Sequence, residues 1–173
     1  DIGRLNAEWT DEKDQFGSVN AFVKSKLKAF IDVPPRSLKT QDVVLYGFGR
    51  IGRLLARELV LFAGNGSHLR LRAIVTRSNS PEDIKKRVSL FRKDSVHGPF
   101  PGVANEDLEN SAMIVNGQII HFIAANQPEE PDYTKFGISD ALVIDNTGTF
   151  RDRENLSRHL SAKGTAKVLL TAP

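Results

Sequence analysis

No cysteine occurs among the 173 residues, which removes disulfides and thiolate chemistry together. That absence names no compartment, but it limits what the chain can catalyse. No apolar run approaches the ~20 residues of a membrane-spanning helix, and the first residues lack the basic-then-apolar plan of a signal peptide. The expectation is a cytoplasmic protein with no membrane partner. Charge of one sign is lacking too: the formal net charge is +3, with 24 Lys and Arg scattered among 21 Asp and Glu, which argues against a specific nucleic-acid partner. Repeats and low-complexity tracts are absent. What remains is 40% apolar and 26% charged, the make-up of one ordinary globular domain with an appendage and a real core.

The chain is organised around Val43-Val44-Leu45-Tyr46-Gly47-Phe48-Gly49-Arg50-Ile51-Gly52-Arg53-Leu54-Leu55-Ala56. An apolar run short enough for a buried strand breaks at Gly47, and from Arg50 onward Ile51, Leu54, Leu55, Leu59 and Phe62 recur at helical spacing. In Gly47-x-Gly49-x-x-Gly52 the first glycine makes the turn, the second lets backbone approach a pyrophosphate, and the third lets helix pack on strand. The phosphates would face the helix N-terminus, where unpaired N–H groups and the positive dipole end favour anions. A lone match of this kind is weak, but here a second strand-like run, Leu69 to Val75, follows the helix at the distance of a βαβ unit.

Residues 1 to about 32 read as helical, with Val19, Phe22, Val23, Leu27, Phe30 and Ile31 forming an apolar stripe after a Ser18 cap. Lys24, Lys26 and Lys28 lie off the stripe, as on a solvated face, and Trp9 and Phe16 suggest that an earlier segment also docks. Val33-Pro34-Pro35-Arg36 stops the helix and places a boundary near residue 40. Residues 63–67 read as a loop, and Pro81 opens a helix capped by Ser80 that runs to about Phe91. Residues 92–102 read as a polar surface loop. Asn116-Gly117 joins two apolar runs as a hairpin inserted among parallel elements. His121 lies in its second strand with no companion His, Cys or acid pattern, so a structural histidine and no metal site are expected. A buried strand at 140–145, a short helix through Leu156 and Leu160, and a last strand at 166–171 complete a doubly wound, mostly parallel α/β sheet. Ligands of such sheets lie outside the carboxyl ends of the strands, which gathers the turns at 47–52, 76–78, 146–148 and 171–173 on one crevice.

Four blocks in order, Tyr-Gly-Phe-Gly-Arg-Ile-Gly-Arg at 46–53, Arg-Lys-Asp-Ser-Val-His-Gly at 92–98, Asp-Asn-Thr-Gly-Thr-Phe at 145–150 and Leu-Leu-Thr-Ala-Pro at 169–173, resemble the N-terminal half of glyceraldehyde-3-phosphate dehydrogenase. The resemblance covers residues 42–173 and implies a Rossmann-type NAD(P)-binding domain at 41–173. Residues 1–40 then look like the helical N-terminal extension of longer bacterial variants. It further implies that the cofactor phosphates lie over Gly47, Phe48, Gly49, Arg50, Ile51 and Gly52. The adenine ribose would meet Thr76, Arg77 and Ser78, and Asn146, Thr147 and Gly148 would run along the cofactor. In the family the nucleophilic cysteine and histidine base lie beyond residue 173, so no catalytic residue is expected here, and His97 belongs to a structural loop. By the same resemblance the full-length protein would be a homo-oligomer acting on a sugar-phosphate aldehyde. Related dehydrogenases of four-carbon sugar phosphates share the cofactor fold, and a non-catalytic redox-sensing or assembly module is the alternative function.

One departure bears on the cofactor. The rule for NAD places Asp or Glu after the second strand, where a carboxylate holds the ribose hydroxyls and repels a 2′-phosphate. This chain has Thr76 and then Arg77, so the expectation is that NADP is accepted at least as well as NAD.

Overall fold

The computed structural model describes residues 2–31, 40–63 and 68–171, with side chains described for 5–28, 40–63 and 68–171. The proline stop at 33–36, the turn at 64–67, the last two residues, and the side chains of Phe30 and Ile31 lie outside the described set. The chain divides into two compact units, Asp1–Leu38 and Lys39–Pro173.

In the first unit α1 (Ile2–Glu12) and α2 (Val19–Ile31) form a helical hairpin. The Ser18 hydroxyl accepts from the Ala21 N–H at 3.1 Å, the N-cap expected from sequence. Phe22 is buried between Trp9 (ring centroids 5.4 Å) and Phe16 (5.3 Å), so the early aromatics dock on the stripe. Burying a phenylalanine side chain contributes about 1.5–3 kcal/mol, which closes the hairpin. Lys24 and Lys28 are exposed, but Lys26 differs from the expected solvated face: it pairs with Glu12 at 2.8 Å and Glu8 at 3.3 Å across the hairpin.

The second unit is built on β1 (Gln41–Tyr46), α3 (Arg50–Ala63), β2 (Leu69–Thr76) and α4 (Pro81–Arg92). A short pair, β3 (Lys93–Asp94) and β4 (Gly98–Pro99), follows, then β5 (Ala104–Asp107), β6 (Ala112–Val115) and β7 (Gln118–Ala124). The chain continues through β8 (Ala141–Asp145), α5 (Arg153–Ser157) and β9 (Thr165–Leu170). Seven strands form one sheet in the order β5-β6-β7-β2-β1-β8-β9. The five strands from β7 to β9 run parallel, while β5 and β6 add an antiparallel edge. This is a Rossmann-type α/β sheet, and each face carries its own core. One is made by Leu45, Ile74 and Phe122 with Leu59, Ile84, Val88 and Phe91 of α3 and α4; the other joins Val44, Ala73 and Val143 to Tyr133, Ile138 and Ala162.

The hairpin between β6 and β7 turns through Asn116 (φ 49°) and Gly117 (φ 82°), the pair of positive values that a type I′ turn demands. Three details depart from expectation. The segment at 92–102 is not merely a surface loop: it holds β3 and β4, and Phe100 is buried against Phe91, with ring centroids 4.7 Å apart. The cause is Arg57 of α3, buried, whose guanidinium donates to the carbonyls of Phe91 (2.9 Å) and Gly98 (3.0 Å) and draws the segment inward. Secondly, β5 widens the hairpin to three antiparallel strands, which its polar sequence conceals. Thirdly, the helix through Leu156 and Leu160 breaks into α5 and a 3-10 turn at Arg158–Ser161, because His159 turns into the core and leaves Leu160 half exposed.

Candidate functional site

Parallel pairing aligns Tyr46 with Val75 and with Asp145, and Asp145 with Leu170, so β1, β2, β8 and β9 end together. A cavity of about 310 Å³ opens at the ends of β1, β2 and β8, bounded by Gly47, Phe48, Thr76, Arg77 and Thr147 from the expected set. It is also lined by Arg87 of α4, by Ala125 and Asn126 after β7, and by Thr149 and Phe150.

The three glycines play separate parts. Gly47 takes φ +93°, and a Cβ there would meet the Thr147 methyl at 2.8 Å. Gly52 is buried under the turn, where a Cβ would lie 2.5 Å from the Gly47 carbonyl oxygen. A Cβ on Gly49, by contrast, would meet nothing within 4 Å. The Gly49 carbonyl accepts the first helical bond, from the Arg53 N–H at 3.0 Å, so Gly49 holds the N-cap position of α3. Arg50 and Ile51 are exposed beside it. Packing therefore explains the first and third glycines and leaves the second facing open space. A group that lies against the backbone at a helix N-terminus fits that opening, as the phosphates of a dinucleotide do.

The turn after β8 is closed from within. Asp145 and His159 are both fully buried, with Asp145 Oδ2 2.9 Å from His159 Nε2. Its Oδ1 accepts from the Thr147 N–H and hydroxyl, each at 2.7 Å. Burial alone would raise the Asp145 carboxyl, but the hydrogen bonds from His159 and Thr147 outweigh it and hold the group below its ordinary range. Asn146 donates from its backbone to the Tyr46 carbonyl at 2.8 Å, and Gly148 takes φ 68°. Tyr46, buried beside Asp145 under this turn, has its phenol pushed up to about 12 by burial.

The turn after β2 is different. The Thr76 hydroxyl donates to the Ser78 carbonyl at 2.8 Å, and the Ser78 hydroxyl bonds to Asp83, whose carboxyl it holds low. Arg77 is exposed at the rim. No carboxylate stands among the described residues that line the cavity, while two guanidiniums do. His97 is remote in role: its ring Nδ1 lies 3.0 Å from Asp94 Oδ1, which also accepts the backbone N–H groups of Val96 and His97, so it braces the β3–β4 loop. His121 is half-buried against Phe136 at 5.0 Å, its pKa lowered chiefly by burial.

The family profile described as "Glyceraldehyde 3-phosphate dehydrogenase, NAD binding domain" matches residues 41–153. This chain belongs to the glyceraldehyde-3-phosphate dehydrogenase family. Its cofactor is accordingly NAD or NADP. A Pseudomonas aeruginosa (strain UCBPP-PA14) protein named "Glyceraldehyde-3-phosphate dehydrogenase-like protein" is 47% identical over 174 residues, covering 100% of this chain and 38% of that protein. The glyceraldehyde-3-phosphate dehydrogenase of Thermotoga maritima is 39% identical over 131 residues, 76% of this chain and 36% of that enzyme. That of Zymomonas mobilis is 36% identical over the same length. The chain thus spans a little over a third of the curated relatives it matches. The Pseudomonas relative matches throughout, the first unit included.

Arg87 and Asn126 were not foreseen from sequence. An arginine set among Ile84, Val88 and Phe91 on the buried side of α4 is the one local sign that could have marked the first. Asn126 follows from β7 lying parallel to β2, which the sequence does not reveal.

Proposed function

We propose that residues 41–173 are the cofactor-binding half of a phosphorylating glyceraldehyde-3-phosphate dehydrogenase, carried in a longer chain, and that residues 1–40 are a helical extension to it. The full-length protein would be a cytoplasmic homo-oligomer acting on a sugar-phosphate aldehyde. Bound nicotinamide supplies a hydride acceptor. The residues of this chain bind and orient it: the backbone from Gly47 to Gly52 faces the pyrophosphate, Asn146, Thr147 and Gly148 line its path, and Thr76, Arg77 and Ser78 meet the adenosine ribose. The observation that carries this reading is Gly49, a glycine that nothing in the protein's own packing requires, at the N-terminus of α3. NADP is accepted at least as well as NAD, because no carboxylate stands among the described cavity-lining residues to repel a 2′-phosphate. Aldehyde oxidation of this family type needs a thiol, and this chain has none.

Titration of the chain with NAD and NADP at low salt tests the reading. Saturable binding of both, with NADP no weaker, is expected, together with no turnover of glyceraldehyde 3-phosphate and phosphate. Failure to bind either dinucleotide contradicts it.

A further inference from the structure

The cavity carries two arginines, and they differ. Arg77 sits exposed at the rim of the turn after β2. Arg87 rises from the middle of α4, a helix pinned in the core by Ile84, Val88 and Phe91, and its side chain is only 20% exposed. Its Nη1 is buried and makes no hydrogen bond, although Asp83 Oδ1 stands 3.5 Å away as an ion-pair partner. The ion pair encloses that nitrogen and fixes a side chain that is still 20% exposed and lines the cavity. Asp83 is itself fixed: its N–H donates to the Ser80 hydroxyl at 3.3 Å, and its carboxylate takes the Ser78 hydroxyl. The same turn that places Thr76 at the cavity therefore sets the carboxylate that steers Arg87.

We propose that Arg87, rather than the exposed Arg77, is the residue that selects a 2′-phosphorylated dinucleotide, presenting a pre-set guanidinium donor to the phosphate. The inference rests on the dinucleotide reading of this cavity and adds the residue that decides between its two forms. A planar fork held by a rigid helix recognises a phosphate dianion by charge-assisted hydrogen bonds without first being ordered. An arginine at an exposed rim must give up rotamer freedom to do the same.

The test compares dissociation constants of NAD, NADP and 2′,5′-ADP for the wild-type chain and for Arg87→Ala, Arg87→Gln and Arg77→Ala. Arg87→Ala should weaken NADP and 2′,5′-ADP about tenfold or more while leaving NAD within about twofold. Arg87→Gln, which keeps much of the side chain's bulk, should lose the same preference and guards against misfolding of the alanine variant. Arg77 meets the ribose of either dinucleotide, so Arg77→Ala should weaken NAD and NADP together and change their ratio by less than about threefold. An unchanged ratio in both Arg87 variants, or a larger change of that ratio in Arg77→Ala, overturns the inference. A wild-type chain that binds none of the three ligands instead overturns the dinucleotide reading on which it stands.

Discussion

Two walls of one cavity are built on opposite plans. Behind the turn after β8, the buried Asp145 carboxylate meets three donors, from His159 and from the Thr147 backbone and hydroxyl, and the Thr147 methyl fills the space that a side chain at Gly47 would need. Elsewhere, Gly49 in the turn after β1 faces nothing, and Arg87 lines the cavity with a guanidinium paired to Asp83 at 3.5 Å. The first wall spends most of its polar groups on itself, although His159 Nδ1 makes no hydrogen bond, and so fixes the scaffold. The second offers open backbone and a cation, which is the condition for spending them on a ligand. Removing a group from the closed wall should therefore cost stability, and altering the open wall should cost binding.

The largest effect is expected at Asp145. Replacing it with Ala strands His159 in the core without its partner, and breaking a buried pair in this way costs about 3–5 kcal/mol. Urea unfolding of Asp145→Ala measures it; a loss below about 1 kcal/mol would mean that the pair is not structural. Next comes Gly47→Ala, which forces a side chain into φ +93° and against the Thr147 methyl. The strain of such a backbone position is about 1–3 kcal/mol, read in the same unfolding experiment. Binding should fall with it, because the two turns share that contact.

Acid should weaken the scaffold more gently. Asp145 and Asp94 both titrate below their ordinary range, Asp94 mainly through the backbone N–H and ring of His97. A carboxyl whose folded pKa lies below its unfolded value, about 3.9 for Asp, adds stability that is complete above that unfolded value and is lost as pH falls toward the folded one. Unfolding free energy should thus slip slightly from pH 7 to about pH 5, where protonation of the half-buried His121 favours the unfolded chain, and decline more steeply below about pH 4. Asp94→Asn should flatten part of that decline; an unaltered profile would remove Asp94 from the account.

What could be read in advance follows from how local each feature is. The β1 strand, the glycine turn, the Ser80 cap and the Asn116-Gly117 hairpin are written in neighbouring residues, and each stands where its turn chemistry or periodicity puts it. Thr76 and Arg77 were placed at the cavity by the same logic, as strand-end residues. Phe100 and Arg87 were not, since Phe100 is buried by contact with Phe91 and Arg87 enters the cavity through the packing of α4 on the sheet. The Asp145–His159 pair spans 14 residues and forms only because the helix breaks at α5, an event with no clear mark in sequence.

The smallest effect on stability and the largest on binding should meet in one residue. Gly49→Asp places an N-cap residue of strong preference at the start of α3, in open space and at the positive end of the helix dipole, so unfolding free energy should be unchanged within about 0.5 kcal/mol or raised. The same carboxylate would stand where the dinucleotide phosphates are proposed to lie. Calorimetric titration of Gly49→Asp with NAD and NADP is therefore the most direct test. A stable protein whose affinity for both has fallen about a hundredfold is the predicted result, and a stable protein that binds both as the wild type does would contradict the account.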